Sequence, residues 1–292
     1  MTRISIVLAL FTVFLWSTLA LIVYNLNHVT PFLIVGIALC IGGMIGVVKI
    51  KEWRIPLKTL LLGIYGLFGY HFLLFTAFKY APAIEANLLN YLWPLLIVLL
   101  SPVLLQGYHL RIYHLIGAFV GFLGAGLIVS GGSLGLDLSN IKGYLMAGSA
   151  AFVWSSYSLL TKRVPPFSTA AVSVFCFVSG LLSLGVYFVG NRSLHEILLL
   201  STKDWLLLIL LGAGPMGLAF FTWDAALKRG DPRIIGSLTY LTPMLSTFNL
   251  IIWGGQKFTS LSALAMVLIL SGAVIGSFDL FIKRSNIDPT AP

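Results

Sequence analysis

The sequence predicts an all-α integral membrane protein of ten transmembrane helices, arranged as two five-helix halves in inverted repeat with both termini cytoplasmic. Three observations predict it. Mean hydropathy is +1.00, and 59% of the 292 residues are hydrophobic while only 9% are charged, against about 25% charged in a soluble domain. Ten apolar stretches approach the roughly 20 residues that cross a hydrocarbon core. The second half of the chain repeats the first.

The stretches cover 4–24, 31–48, 58–79, 82–104, 113–131, 142–161, 167–189, 205–227, 232–252 and 260–282. Short connectors leave no soluble domain, which excludes an enzyme with an extramembrane active site. The first stretch, after MTRIS, is too long for a signal peptide, lacks a small-residue cleavage site and precedes nine further spans, so it reads as the first helix. Cys40 and Cys176 lie inside apolar runs and read as buried hydrophobes, not as a disulfide or metal pair.

The net charge of +9 reflects topology rather than nucleic acid. With the N-terminus inside, the inner segments hold thirteen basic residues: Arg3, Lys49, Lys51, Arg54, Lys58, Arg111, Lys162, Arg163, Lys228, Arg229, Arg233, Lys283 and Arg284. The outer segments hold five: Lys79, Lys142, Arg192, Lys203 and Lys257. That bias orients both termini inward.

A shift of 149 lays residues 63–94 on 212–243, matching Gly63 with Gly212, Lys79 with Lys228, Tyr91 with Tyr240 and Pro94 with Pro243. Near the two starts, FLWS at 14–17 matches FVWS at 152–155. The halves are 1–135 and 142–292, joined by 136–141. Because five is odd, the second half is inverted relative to the first. Many secondary transporters have this construction, with the substrate site at the midplane between repeats.

At about 1.5 Å per residue, Trp16, His71, Trp93 and Trp154 all fall near the bilayer centre, although tryptophan ordinarily crowds the interfaces. Buried indole N–H groups seek partners, and a shared cavity supplies them. In NYLWPLL and TYLTPML, at 90–96 and 239–245, Pro94 and Pro243 break their helices and remove the helical donors to the carbonyls of Asn90 and Thr239. Such groups are tolerated at depth where they face protein or a cavity. Asn90, Tyr91, Thr239 and Tyr240 are therefore candidate lining residues, with Pro94 and Pro243 as hinges.

Glu85 lies shallow beside Lys79 and reads as a loop-edge ion pair, the alternative being a proton-coupling carboxylate. Asp224 and Lys228 have (i, i+4) spacing and read as a structural pair. His71 is the one ionisable side chain at mid-depth; with no acid at its level, it is expected to act as a neutral hydrogen-bonding group. The sequence has no phosphate-binding glycine loop after a strand, no HExxH, no GxGD-type aspartate pair and no GxSG with a suitable histidine. No cofactor or metal is expected. Gly42/Gly46 and Gly117/Gly121 read as close helix contacts, equally compatible with a monomer or a weak dimer.

The five-plus-five pattern with its FLWS and FVWS openings resembles the EamA-type drug/metabolite transporter superfamily over essentially the whole chain. NLLNYLWPLLIVLLSPVLL and GSLTYLTPMLST resemble its aromatic amino acid exporter (YddG-type) branch. The resemblance implies that His71, Tyr91, Trp93 and Trp154 line a central substrate cavity in a multi-pass protein of the bacterial inner membrane. One departure is Gln106 and Gln256 where superfamily members commonly carry the glutamate of a Gly-Glu pair. The reading that follows is export of amino acids, aromatic and other neutral ones, or related small metabolites, by alternating access as a gradient-driven uniporter. The competing readings are a proton-coupled drug or metabolite antiporter, which wants a deep carboxylate, and a non-transporting membrane partner or scaffold.

Overall fold

A computed structural model describes residues 3–132, 137–191, 194–254 and 259–278. Among these residues the ordered elements are all helical. In chain order the principal segments are α1 (Arg3–Asn25), α2 (Pro31–Met44), α3 (Leu57–Ala77), α4 (Ala83–Leu104), α5 (Ile112–Ser130), α6 (Ile141–Leu160), α7 (Thr169–Gly190), α8 (Thr202–Arg229), α9 (Pro232–Trp253) and α10 (Ser260–Gly276). Seven of them are long and apolar enough to cross a membrane. An eighth qualifies if α2 and the bent segment Val47–Trp53, 86° from it, form one span. Arg192, Gln256, Lys257, Lys283, Arg284 and the start of the linker 136–141 lie outside the described residues.

The ends of these helices are set by local chemistry. Pro31 and Pro232 occupy first-turn positions, where a missing N–H costs nothing. Ser201 and Asp204 form a reciprocal capping box that starts α8, satisfying donors left open at a helix start.

Four interior irregularities shape the bundle. Both α3 and α8 contain a π-turn, at Tyr65–Gly69 and Gly214–Leu218. The two turns are separated by the 149 residues that align the halves. A π-turn inserts one residue into the helical ladder and rotates the side chains after it. α4 is interrupted at Tyr91–Leu92, and α9 at Thr239–Tyr240. The Thr239 carbonyl is not left open, as the sequence suggests. It accepts from the Thr242 N–H at 3.0 Å, because the chain tightens into a three-residue turn there.

The packing has a pattern of its own. α5 runs against α10, and α2 against α7. α1 packs on α8 and α9, while α6 packs on α3 and α4. Exchanging the first five segments for the last five maps this set of neighbours onto itself. The FLWS and FVWS serines hold corresponding joints. Ser155 on α6 donates to the Trp93 carbonyl at 2.9 Å, at the break in α4. Ser17 on α1 receives the Asn249 amide of α9, at 3.2 Å to its hydroxyl and 3.1 Å to its carbonyl.

Glycine permits the closest approaches. A Cβ on Gly272 of α10 would stand 2.4 Å from the Gly121 nitrogen and 2.7 Å from the Gly117 oxygen of α5. Backbone cannot yield as a side chain can. Gly272→Ala is therefore expected to lower the melting temperature in detergent, by an overpacking cost of about 1–3 kcal/mol. Gly148→Ala, whose Cβ would meet nothing within 4 Å, is expected to leave it unchanged. Equal melting curves for the two variants would contradict this α5–α10 contact.

Candidate functional site

A cavity of about 440 Å³ lies between the halves, within the roughly 300–1,000 Å³ typical of small-molecule sites. It extends from the level of Trp16, Trp93 and Trp154 to Asn27, Val29, Pro31, Phe78 and Ala83, in and beside the α1–α2 and α3–α4 turns. It is therefore open toward those turns. Its lining holds no Asp, Glu, Lys or Arg.

The floor is aromatic. The Trp16 ring centroid is 5.8 Å from Trp93, 5.9 Å from Trp154 and 5.3 Å from Trp223. Trp93 is 5.7 Å from Trp223, and most of these rings meet edge to face, the arrangement their quadrupoles favour. Phe220 joins them at 5.6 Å from Trp154, and Tyr70 at 5.3 Å. The Trp223 indole donates to the Ser158 hydroxyl at 3.1 Å, which satisfies its N–H beneath the floor.

Polar groups are few and specific. His71 follows the π-turn of α3, and its Nδ1 lies 2.6 Å from the Leu67 carbonyl. A carbonyl only accepts, so Nδ1 carries the hydrogen and a neutral ring keeps Nε2 as an acceptor. The Asn90 amide donates to the Tyr70 hydroxyl at 3.2 Å, leaving the Tyr70 hydrogen for another acceptor. Among the described residues the buried Asn90 Oδ1 and Thr242 hydroxyl have no hydrogen-bond partner, and both residues line the cavity with Ser246. Buried polar atoms are ordinarily satisfied, so this wall has unspent hydrogen-bonding capacity.

Of the residues picked out from sequence, Trp16, His71, Asn90, Tyr91, Trp93 and Trp154 line this one cavity. Tyr240 and Thr239 do not. Tyr240 is fully buried on the far side of α9, its ring seated against Gly121 and packed with Ala125 and Ile269. Thr239 is fully buried, and its hydroxyl donates to the Gly236 carbonyl at 2.6 Å. Pro94 is buried at the start of the second piece of α4, and Pro243 lies in the second piece of α9. Glu85 accepts from the Tyr144 hydroxyl rather than pairing with Lys79, whose ammonium lies 5.7 Å from the Phe32 ring. Asp224 and Lys228 pair at 2.7 Å.

Sequence reasoning missed Tyr70, Phe220, Trp223 and Thr242. Two carried a usable signal: the 149-residue shift places Phe220 at the position of His71, and Thr242 at that of Trp93.

The fold and cavity together define a multi-span membrane protein with an uncharged, aromatic-floored central chamber. The chain belongs to the EamA-like transporter family, whose model matches twice, over residues 3–130 and 141–278. It is 39% identical over 287 residues to the aromatic amino acid exporter YddG of Ancylobacter novellus, covering 95% of this chain and 98% of that one. It is 28% identical to the Escherichia coli K12 protein of the same name, over 82% of this chain and 85% of that one. A solved crystal structure superposes with a TM-score of 0.87 at 37% identity, covering 94% of this chain and 97% of that one.

The different settings of the two repeat tyrosine positions and of Tyr70 can be separated by mutation. Tyr70→Phe removes a hydroxyl at the cavity wall and is expected to weaken binding of a polar small molecule about tenfold, in line with one hydrogen bond. Tyr240→Phe is expected to leave that binding unchanged, as read by thermal-shift or calorimetric titration. Weaker binding in the Tyr240 variant alone would contradict the placement.

Proposed function

We propose that this chain is a secondary transporter that exports amino acids, aromatic and other neutral ones foremost, by alternating access through the central cavity. The observation that carries the reading is an aromatic chamber without charged lining, open at one end of the bundle and closed at the other. Such walls suit a ligand of zero net charge. Indole faces take an apolar side chain, and the neutral dipoles of His71, Asn90, Tyr70 and Thr242 meet its polar head. The names of the exporter relatives point to the same substrate class.

The architecture proposed for this function is ten spans in two inverted repeats, 1–135 and 142–292, with both termini cytoplasmic in a bacterial inner membrane. The doubled family match, the paired π-turns and the exchange-symmetric packing support it. On this topology the cavity mouth faces outward. Monomer or weak dimer suffices, since one chain encloses the chamber.

We favour gradient-driven uniport over proton antiport. A proton-coupled exchanger needs a group in the path that takes up and releases a proton each cycle, and the neutral hydrogen bond of His71 Nδ1 to the Leu67 carbonyl favours a binding role for that ring instead. The buried carboxylate nearest the floor, Asp224, lies outside the lining and is engaged by Lys228 and by Thr169. A non-transporting scaffold has no use for the chamber.

Flux of a panel of amino acids into and out of proteoliposomes tests the reading. Flux of phenylalanine or tryptophan is expected without a proton gradient. His71→Gln, which keeps an acceptor, is expected to retain part of it, and His71→Ala much less. Trp93→Ala is expected to impair flux while the protein still inserts and folds. Zero flux in the Gln variant with proton uptake stoichiometric with substrate would make the protein a proton-coupled antiporter. Wild-type flux in Trp93→Ala would return that ring to packing.

A further inference from the structure

We propose that Lys228 and Lys79, equivalent by repeat, are the alternating latches of a two-sided gate. Lys228, with Lys162, holds the inner end shut in this structure, and Lys79 is the open latch at the cavity mouth. The proposal rests on the inverted-repeat transporter reading above.

The inner latch is reciprocal. Lys228, on the last turn of α8, donates to the Phe167 carbonyl at 2.8 Å and to Asp224 Oδ2 at 2.7 Å. Its ammonium stands 3.6 Å from the centroid of the Phe167 ring. Asp224 Oδ2 also accepts from the Thr169 hydroxyl at 2.7 Å. In the opposite direction, Lys162, just past the end of α6, donates to the Leu227 carbonyl at 2.5 Å and the Gly230 carbonyl at 3.0 Å. Thus α8 reaches the α6–α7 turn while the end of α6 reaches α8. Trp223 and Thr222 precede the latch directly on α8, bonded to Ser158 of α6 and Thr12 of α1. The cavity floor therefore cannot part along α8 until the lysine contacts release. Charge-assisted bonds of this kind are stronger than neutral ones, and low dielectric enhances them.

The twin is unlatched. The 149-residue shift puts Lys79 of the α3–α4 turn at the position of Lys228. In the register that matches Trp16 with Trp154, the Phe167 position corresponds to Val29 of the α1–α2 turn. Val29 lines the cavity mouth. Lys79 is exposed and lies 5.7 Å from the Phe32 ring; among the described residues its ammonium holds no carbonyl. Closing the mouth brings Lys79 onto the α1–α2 turn as Lys228 now sits on the α6–α7 turn. The two latches differ in strength. The position of Asp224 corresponds to Phe75, and that of Lys162 to Tyr24, so the outer latch lacks the carboxylate and the second ammonium. Without substrate the chain accordingly rests with its outer end open.

Spin-label distances in lipid nanodiscs without substrate test this. One pair is placed at positions 163 and 229 across the inner end, the other at 27 and 80 across the mouth, all exposed, with Cys40 and Cys176 replaced. Lys162→Met with Lys228→Met is expected to raise the long inner-distance population about tenfold or more, with a matching rise in short outer distances. Lys228→Arg, which keeps the charge, is expected to retain the wild-type distribution. Adding Lys79→Met to the double variant is expected to abolish the short outer distances. Unmoved inner distances in a monodisperse double variant, or short outer distances that survive Lys79→Met, would overturn the proposal. Because the distances need no flux, wild-type flux with unmoved distances sinks the latch alone. Absence of amino acid flux in the wild type sinks the transport reading and leaves the distances standing.

Discussion

The contacts of the Trp16 ring hold the centre of this molecule. From α1 it meets Trp93 of α4, Trp154 of α6 and both Phe220 and Trp223 of α8, so both halves of the chain converge on one side chain. Aromatic pairs of this geometry are each worth about 0.5–1.5 kcal/mol beyond their burial. In a bilayer, where apolar side chains gain nothing by leaving lipid, packing of this kind and buried hydrogen bonds supply the association energy. The cluster closes the chamber from below while leaving ring faces and edges on its floor.

Around that point the irregular backbone has a consistent use. A helix at membrane depth satisfies its own N–H and C=O groups, and any break must find other partners. At the α4 break Ser155 donates to the Trp93 carbonyl, and at the α9 break the Thr239 carbonyl accepts from the Thr242 N–H. The π-turns present His71 on α3 and Phe220 on α8 to the same cavity. Chemically unlike residues thus occupy equivalent places in the repeats. One wall offers an imidazole acceptor and an indole where the other offers a phenyl ring and a hydroxyl. A two-fold scaffold thereby holds a site without two-fold symmetry.

Much of this was legible in the sequence. Composition gave the solvent, and the basic residues gave an orientation to test. The depth of Trp16, His71, Trp93 and Trp154 singled out one level of the bundle, and all four line the chamber there. Trp223 lies too close to the end of α8 for a depth argument to select it, yet it packs under the floor because α8 leans against α1 and α6. Tyr240 was misplaced because equivalence in sequence is not equivalence of environment. Its ring turns toward Gly121, where a missing side chain leaves room, whereas Tyr91 faces the cavity. Glu85 found Tyr144 across 59 residues, a partner that no local spacing reveals.

The central claim is that substrate occupies the uncharged chamber from its open end. Ala20 lies on the chamber wall and is exposed. Placed in a background lacking Cys40 and Cys176, Ala20→Cys is predicted to react with a membrane-impermeant maleimide added outside. Saturating phenylalanine or tryptophan is predicted to slow that reaction strongly, while lysine or glutamate leaves it unchanged. A thiol that stays unreactive from outside, or one that reacts at the same rate whichever amino acid is present, would contradict the account.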